Sequence, residues 1–242
     1  IGNQPDGLNV NNGYGSTHIE KLCALVKEQH LDAGFAFDGD ADRCIAVDEN
    51  GNVIDGDAML YILGKRLKRK GMLNKDTVVA TVMSNSGFFA SLKNLGIECD
   101  QTKVGDRFVY ESMQNNDFSL GGEQSGHIIL KKYATTGDGI LTAIMIAEEM
   151  CDRKLSLSHL LEGLMLYPQH VVNVRVKDKE AVMKEPAILN EIEQVSKELE
   201  GNGRILVRPS GTEPLVRVMA EAETDEICHD LVYRIVKLIE EL

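Results

Sequence analysis

Apolar residues at helical spacing open the ordered part of the chain. In STHIEKLCALVKEQ, Ile19, Leu22, Leu25 and Val26 form one stripe, and Thr17 with Glu20 predicts a capping box at the helix start. The run AGFAF behind it has the length of a buried strand, and CIAVDENGNVI predicts two strands about an Asn50-Gly51 turn. DAMLYILGKRLKRKG reads as a helix closed by Gly71. TVVATVMS is a strand, and Ser84 or Asn85 stands where it can cap a helix through SLKNLG. IECDQT then reads as a strand, followed by a helix over about 106–113 and LGGEQSGHIIL as strand, loop and strand. A helix over about 139–150 closes this part. Strands alternating with helices of these lengths predict an α/β fold.

The pattern changes near Pro168. In HVVNVRVK, Val172, Val174 and Val176 alternate with polar residues, as in a strand buried on one face only. A helix over about 181–199, two strands around RPSGTEP and a long terminal helix follow. Ile227, Leu231, Ile235, Leu238 and Leu242 are expected to share that helix's inner face. The predicted fold class is therefore α/β, with mixed-sheet α/β domains followed by a smaller α+β C-terminal domain. The break is expected within 166–169.

Composition narrows the function. Of 242 residues, 43% are hydrophobic and 26% charged, ordinary for a globular protein. A formal charge of −12 argues against nucleic acid or an anionic membrane as partner, since both require a basic face. Cys23, Cys44, Cys99, Cys151 and Cys228 are scattered, with no C-x-x-C pair and an odd total. That is the usage of a reducing compartment, and with no long apolar run or signal peptide the expectation is a cytoplasmic protein.

Against this background FAFDGDADR stands out. Asp38, Asp40 and Asp42 occupy every second position behind an apolar strand. Carboxylates this close repel one another and have raised pKa values unless a cation neutralises them. Oxygen-only ligation suits a hard divalent ion, Mg²⁺ or Ca²⁺. An EF-hand loop is the rival, with the aspartates at its positions 1, 3 and 5 and Glu49 at position 12. The turn position that needs glycine is Arg43, however, and the flanks read as strands. A solvated acidic turn is the plainer alternative; the buried strand in front favours a ligand site, because ligands gather outside the carboxyl ends of strands in α/β sheets.

Two further loops carry chemistry. In VRPSGTEPLVRV, Arg208 offers a planar fork to phosphate oxygens, Ser210 and Thr212 offer hydroxyls, and N–H groups around Gly211 can form an anion nest. Arg217 returns on the next strand to close over the same anion. In GGEQSGHI, Glu123 and Ser125 between glycines suit hydrogen bonding to vicinal hydroxyls, while His127 taken alone is more often structural than functional. KVGDR places Lys103, Asp106 and Arg107 at a strand–helix junction, where an anion or an ordinary helix cap fits equally well.

These loops, in this order, resemble the α-D-phosphohexomutase superfamily. Its D-G-D-x-D-R metal loop matches DGDADR, its G-E-x-S-G-H sugar loop matches GEQSGH, and its R-x-S-G-T-E-P phosphate loop matches RPSGTEP. Gln124, with PDGLNVNNGYGSTH and ATTGDGILTA, is similar to the glucosamine branch. The resemblance implies Mg²⁺ on Asp38, Asp40 and Asp42 with Arg43 beside it as a catalytic electrostatic partner. It implies Glu123, Ser125 and His127 on the sugar, and Arg208, Ser210, Gly211, Thr212 and Arg217 on the non-reacting phosphate. The implied reaction interconverts glucosamine 6-phosphate and glucosamine 1-phosphate through a phosphoserine enzyme and a 1,6-bisphosphate, supplying UDP-N-acetylglucosamine. Lys103, Asp106 and Arg107 are further candidates for tuning sugar choice.

The family's serine lies in a T-A-S-H-N-P-type loop that has no counterpart here. The expectation is a fragment: residues 1–54 as the remainder of the family's second domain, 55–166 as its third and 167–242 as its fourth. Its expected partners are a small-molecule sugar phosphate and the missing N-terminal serine domain, with a homodimer in the full-length protein, and the fragment alone is expected to be inactive. Two alternatives stand beside this reading: a mutase of the same fold acting on glucose or mannose phosphates, and a non-catalytic Ca²⁺-binding module.

Overall fold

The computed structural model describes residues 1–199, 202–210 and 213–241. The chain divides into two compact units, Ile1–Ser84 with Ser91–Leu164, and Asn85–Ala90 with Met165–Leu242.

In the first unit, helix α1 (Glu20–Gln29) precedes strands β1 (Ala33–Phe37), β2 (Cys44–Asp48) and β3 (Val53–Ile54), which pair antiparallel in that order. The predicted Thr17 cap does not form: Ile19 stands at the N-cap in helical geometry, with no side-chain hydrogen bond. The chain enters α1 from a turn in which His18 N–H donates to Gly15 O, so the extended N-cap backbone that Thr17 would need is absent. The β2–β3 turn is built as the sequence predicts, around Gly51 at φ 78°. Buried Asp48 secures it, its Oδ1 accepting from Asn50 N at 2.9 Å and Asn52 N at 2.8 Å, its Oδ2 from Asn52 Nδ2 at 2.9 Å.

The same unit holds α2 (Gly56–Arg69), β4 (Thr77–Thr81), α3 (Ser86–Asn94, which runs across the division), β5 (Glu98–Thr102), α4 (Asp106–Asn116), β6 (Leu120–Gly122), β7 (Ile128–Leu130), α5 (Gly139–Arg153) and short α6 (Leu157–Leu160). The sheet order is β5-β4-β6-β7, parallel except for β7. All of β4 is buried, as expected for a parallel strand covered on both faces. Gly64 of α2 lies against Val78, whereas Val109 and Met113 of α4 cluster with Val79 and Ile129. Consecutive strand residues point oppositely, so α2 and α4 lie on opposite sides of the sheet. Arg66, nearly buried, ties α2 to α5 through Glu148 at 2.6 Å, Glu149 at 2.8 Å and Asp152 at 3.2 Å. At the start of α3 it is Asn85 that caps, its Oδ1 accepting from Gly87 N at 2.9 Å.

The second unit contains β8 (Gln169–Arg175), α7 (Lys179–Val182), α8 (Pro186–Glu198), β9 (Gly203–Pro209), β10 (Leu215–Ala222) and α9 (Asp225–Glu240). Its sheet is antiparallel in the order β8-β10-β9. The helix expected from residue 181 is split in two, because Pro186 lacks an N–H and can only begin a helix. Val174, Val216, Val218 and Ala220 pack against Ile188 and Val195 of α8 and against α9. On the opposite face fully buried Glu221 accepts from Ser86 N at 2.6 Å and Arg204 Nη2 at 3.2 Å.

The inner face of α9 differs from the expectation. Cys228, Leu231, Val232, Ile235, Val236 and Ile239 are buried, Ile227 is 41% exposed and Leu238 is only partly buried. The stripe is rotated toward Cys228, whose small side chain lets the helix start lie close to Pro168 O, at 3.1 Å from its sulfur. Leu242 lies outside the described residues. Among the described residues no helix is long and apolar enough to cross a membrane. Truncating Ile235→Ala should therefore lower stability by about 2–5 kcal/mol. Ile227→Ala should stay within about 0.5 kcal/mol. Denaturant unfolding followed by a probe in the C-terminal unit checks both.

Candidate functional site

Phe37 ends β1 and pairs with Cys44, which begins β2, so residues 38–43 must cross between two antiparallel strands. A tight turn does this. Ala41 N–H donates to Asp38 O at 3.2 Å, and Ala41 adopts φ 58°, in the left-handed region that alanine rarely occupies. Arg43 N–H donates to Asp38 Oδ1 at 3.1 Å. The turn brings carboxylate oxygens of Asp38, Asp40 and Asp42 within 4.8 Å of one another. Arg43 Nε offsets part of the repulsion, 3.7 Å from Asp38 Oδ2 and 3.9 Å from Asp42 Oδ1. Burial, followed by the hydrogen bond and charge of Asp38, still pushes the Asp42 carboxyl above its ordinary range. Clustered hard oxygens with a deficit of positive charge fit a divalent cation of the Mg²⁺ type. The flanks are strands, so the loop has no EF-hand geometry.

His127 belongs to this loop's support. It is 3% exposed, and its Nδ1 lies 3.0 Å from Asp42 Oδ2 while Gly137 N–H donates to its Nε2 at 3.0 Å. A nitrogen that accepts cannot carry the proton, so the ring is neutral and Nδ1–H donates to Asp42. Arg43 and His127 also pair as an isolated antiparallel bridge, and Cys44 N–H donates to Gly126 O at 3.1 Å. Room for this approach comes from glycine. A Cβ on Gly126 would stand 2.0 Å from Cys44 O, and one on Gly139 would stand 2.4 Å from Arg43 O.

Residues 123–127 form a closed turn, with Gly126 N–H donating to Glu123 O and Glu123 N–H to His127 O, each at 3.0 Å. Gly56 N–H donates to Gln124 O at 2.9 Å, and Gln124 Nε2 to Asp55 Oδ2 at 3.2 Å. Ser125 is exposed at the tip. Glu123 Oε1 accepts from Gly105 N–H at 3.0 Å, at the N-cap of α4. That N–H therefore faces a protein carboxylate, and KVGDR is held against the GEQSGH loop. Lys103, Asp106 and Arg107 are exposed, Arg107 pairing along its own helix with Glu111 at 2.7 Å.

In the C-terminal unit, Arg208 and Arg217 stand directly opposite one another on β9 and β10. Arg217 Nε donates to Asn173 Oδ1 at 2.9 Å. Ser210 N–H donates to Leu215 O at 2.9 Å, and its hydroxyl accepts from Glu213 N–H at 3.2 Å. Lys179 Nζ, placed by the Asp178-capped start of α7, donates to Ser210 O at 2.6 Å. Gly211 and Thr212, named from the sequence for this loop, lie outside the described residues.

Sequence reasoning named the carboxylate trio and the arginine pair, each of which the structure brings together, but not the supporting contacts of Gly137, Gly139, Asn173 and Lys179. The glycines of TTGDG carried a readable signal, since glycines on either side of a helix-capping Asp138 mark a close backbone approach. Nothing in the sequence singled out Asn173 or Lys179.

Three family models match the chain: "Phosphoglucomutase/phosphomannomutase, alpha/beta/alpha domain II" over residues 4–51, "alpha/beta/alpha domain III" over 55–167 and "C-terminal domain" over 171–238. Among curated relatives, the phosphoglucosamine mutase of Oceanobacillus iheyensis is 54% identical over 241 residues, covering 100% of this chain and 54% of that protein. That of Bacillus subtilis is 54% identical over 239 residues, covering 99% and 53%. The chain thus spans about half the length of the curated relatives it matches. The fold is also that of Aspergillus fumigatus N-acetylphosphoglucosamine mutase, at a TM-score of 0.72 and 20% identity over 96% of this chain and 53% of that one.

Two outcomes follow from the geometry. Gly139→Ala should lower stability by about 1–3 kcal/mol through overpacking against Arg43. Asp42→Asn should raise the melting temperature of the protein in chelator at neutral pH, because it removes one of three repelling carboxylates and keeps an acceptor for His127. A raised folded-state pKa stabilises below the unfolded pKa, and that contribution is lost as pH rises through the folded value. The Asn variant's advantage should accordingly grow across that window and vanish in acid, as melting scans between pH 4 and 8 would show.

Proposed function

The chain belongs to the phosphoglucomutase/phosphomannomutase family, and on that premise we propose that it carries the metal, sugar and distal-phosphate loops of a phosphosugar mutase acting on glucosamine phosphates. The observation that carries the reading is the convergence of the Asp38, Asp40 and Asp42 carboxylates, with the GEQSGH loop packed directly against them. The proposed domains follow the family's division, 1–54, 55–166 and 167–242.

In this reading a phosphoserine, supplied by a segment other than these residues, transfers its phosphoryl group to O1 of glucosamine 6-phosphate. The serine hydroxyl is freed and a 1,6-bisphosphate results. After the sugar turns round, its O6 phosphoryl group passes to the serine and glucosamine 1-phosphate leaves. Asp38, Asp40 and Asp42 are the residues to hold Mg²⁺, which supplies charge to offset that building up on the transferring group. Arg43, held by two of those aspartates, adds a fixed positive charge beside them. His127 keeps Asp42 turned into the loop by donating to one of its oxygens. Glu123, oriented by Gly105 N–H, and Ser125 receive the sugar hydroxyls in either direction of binding. Arg208, Ser210, Gly211, Thr212 and Arg217 grip whichever phosphate is not reacting, so one anchor serves both half-reactions. Lys103, Asp106 and Arg107, on the KVGDR loop that Gly105 N–H ties to Glu123, are further candidates to influence which sugar is accepted.

Turnover of glucosamine 6-phosphate tests this. The 242-residue protein alone should be inactive, and addition of the serine-bearing half of a relative such as the Bacillus subtilis enzyme should produce Mg²⁺-dependent glucosamine 1-phosphate formation. Asp40→Asn should reduce that rate by at least about 100-fold. Activity of the isolated chain, or activity indifferent to Asp40→Asn, would overturn the proposal.

A further inference from the structure

Arg208, Arg217 and Asn173 form one row across the C-terminal sheet. Arg217 on the central strand β10 pairs in register with Arg208 of β9 on one side and Asn173 of β8 on the other. Their neighbours Val174, Val216, Val218 and Val207 turn toward the helical core, so the row projects from the opposite face. Side chains directly opposite on antiparallel strands have Cβ atoms about 5 Å apart, where like charges destabilise the pair. Two arginines held there make a natural receptor for a doubly charged anion.

We propose that Asn173 is the positioning residue of this clamp, holding the Arg217 fork ready for the phosphate of a sugar phosphate. This rests on the phosphate-loop reading above. Arg217 Nε donates to Asn173 Oδ1 at 2.9 Å, which directs one edge of the guanidinium along the sheet and leaves the two terminal nitrogens for paired bonds to phosphate oxygens. The amide is suited to this because it accepts the hydrogen bond without cancelling the charge. An aspartate in its place would make the same bond and act as a permanent counter-ion, competing with the ligand. The side chain of Arg loses much rotamer freedom on binding, and a fork already fixed loses less.

Glucosamine 6-phosphate titrated into the 242-residue protein by NMR, with the Arg217 Nε resonance as a local probe, tests the proposal. Asn173→Ala should weaken binding about fivefold to tenfold and shift the free-state Nε resonance. In an Arg217→Ala background the same substitution should have no further effect. Asn173→Asp should keep a hydrogen-bonded Nε signal and a folded sheet yet bind at least as weakly as the Ala variant. Equal losses from Asn173→Ala in both backgrounds, no loss at all, or wild-type affinity in Asn173→Asp would each overturn it. If Arg208→Ala and Arg217→Ala both bind as the wild type does, the phosphate-loop reading fails, and this inference with it.

Discussion

The N-terminal unit depends on how closely two backbone segments can approach. The loop that carries Asp38, Asp40 and Asp42 is pressed against residues 126–127 on one side and 137–139 on the other. Cys44 N–H reaches Gly126 O, Gly139 N–H reaches Ala41 O, and His127 reaches Asp42. A Cβ added at Gly126 or Gly139 would overlap Cys44 O or Arg43 O, so the segments could not keep this approach without shifting. Because the glycines lie at the end of the four-stranded sheet and at the start of α5, the loop's conformation is imposed by elements remote in sequence. Ala41 can therefore be held at an unfavourable positive φ, and the aspartates converge despite their repulsion.

The two units share a second feature, like charges gathered where folding alone would separate them. In one, carboxylates lie within 4.8 Å of one another. In the other, Arg208 and Arg217 are paired in register. Like charges this close repel one another, and on the function proposed above a ligand of opposite sign would relieve each arrangement. On the proposed function the two signs would match a divalent cation and a phosphate, both of which phosphoryl transfer to a sugar phosphate requires.

Local rules explain what the sequence could disclose. The β2–β3 turn and the strands AGFAF and TVVAT are set within a few residues, and the structure builds them as the pattern predicts. The face of α9 is different. Ile227, Leu231, Ile235 and Leu238 make a plausible stripe, but Cys228, Val232, Val236 and Ile239 make an overlapping one, and only packing against the sheet selects between them. The Thr17 cap fails for the same kind of reason, because the preceding turn sets the backbone angles at the helix entry. The partnership of His127 with Asp42 spans 85 positions and leaves no local periodicity. Asn173 and Arg217 become neighbours only through strand register, which a single sequence does not specify.

Those two long-range pairs follow one electrostatic rule. In each, a neutral side chain orients a charged one: the imidazole Nδ1–H donates to a carboxylate, and the amide Oδ1 accepts from a guanidinium. A charged partner would form a stronger hydrogen bond, and it would also neutralise the group that meets the ligand on the proposed function. Gly137 N–H fixes the tautomer at His127, because the nitrogen that accepts from that amide leaves the proton on Nδ1. Orientation is thus separated from charge compensation, which on the proposed function is left to a cation at one site and a phosphate at the other.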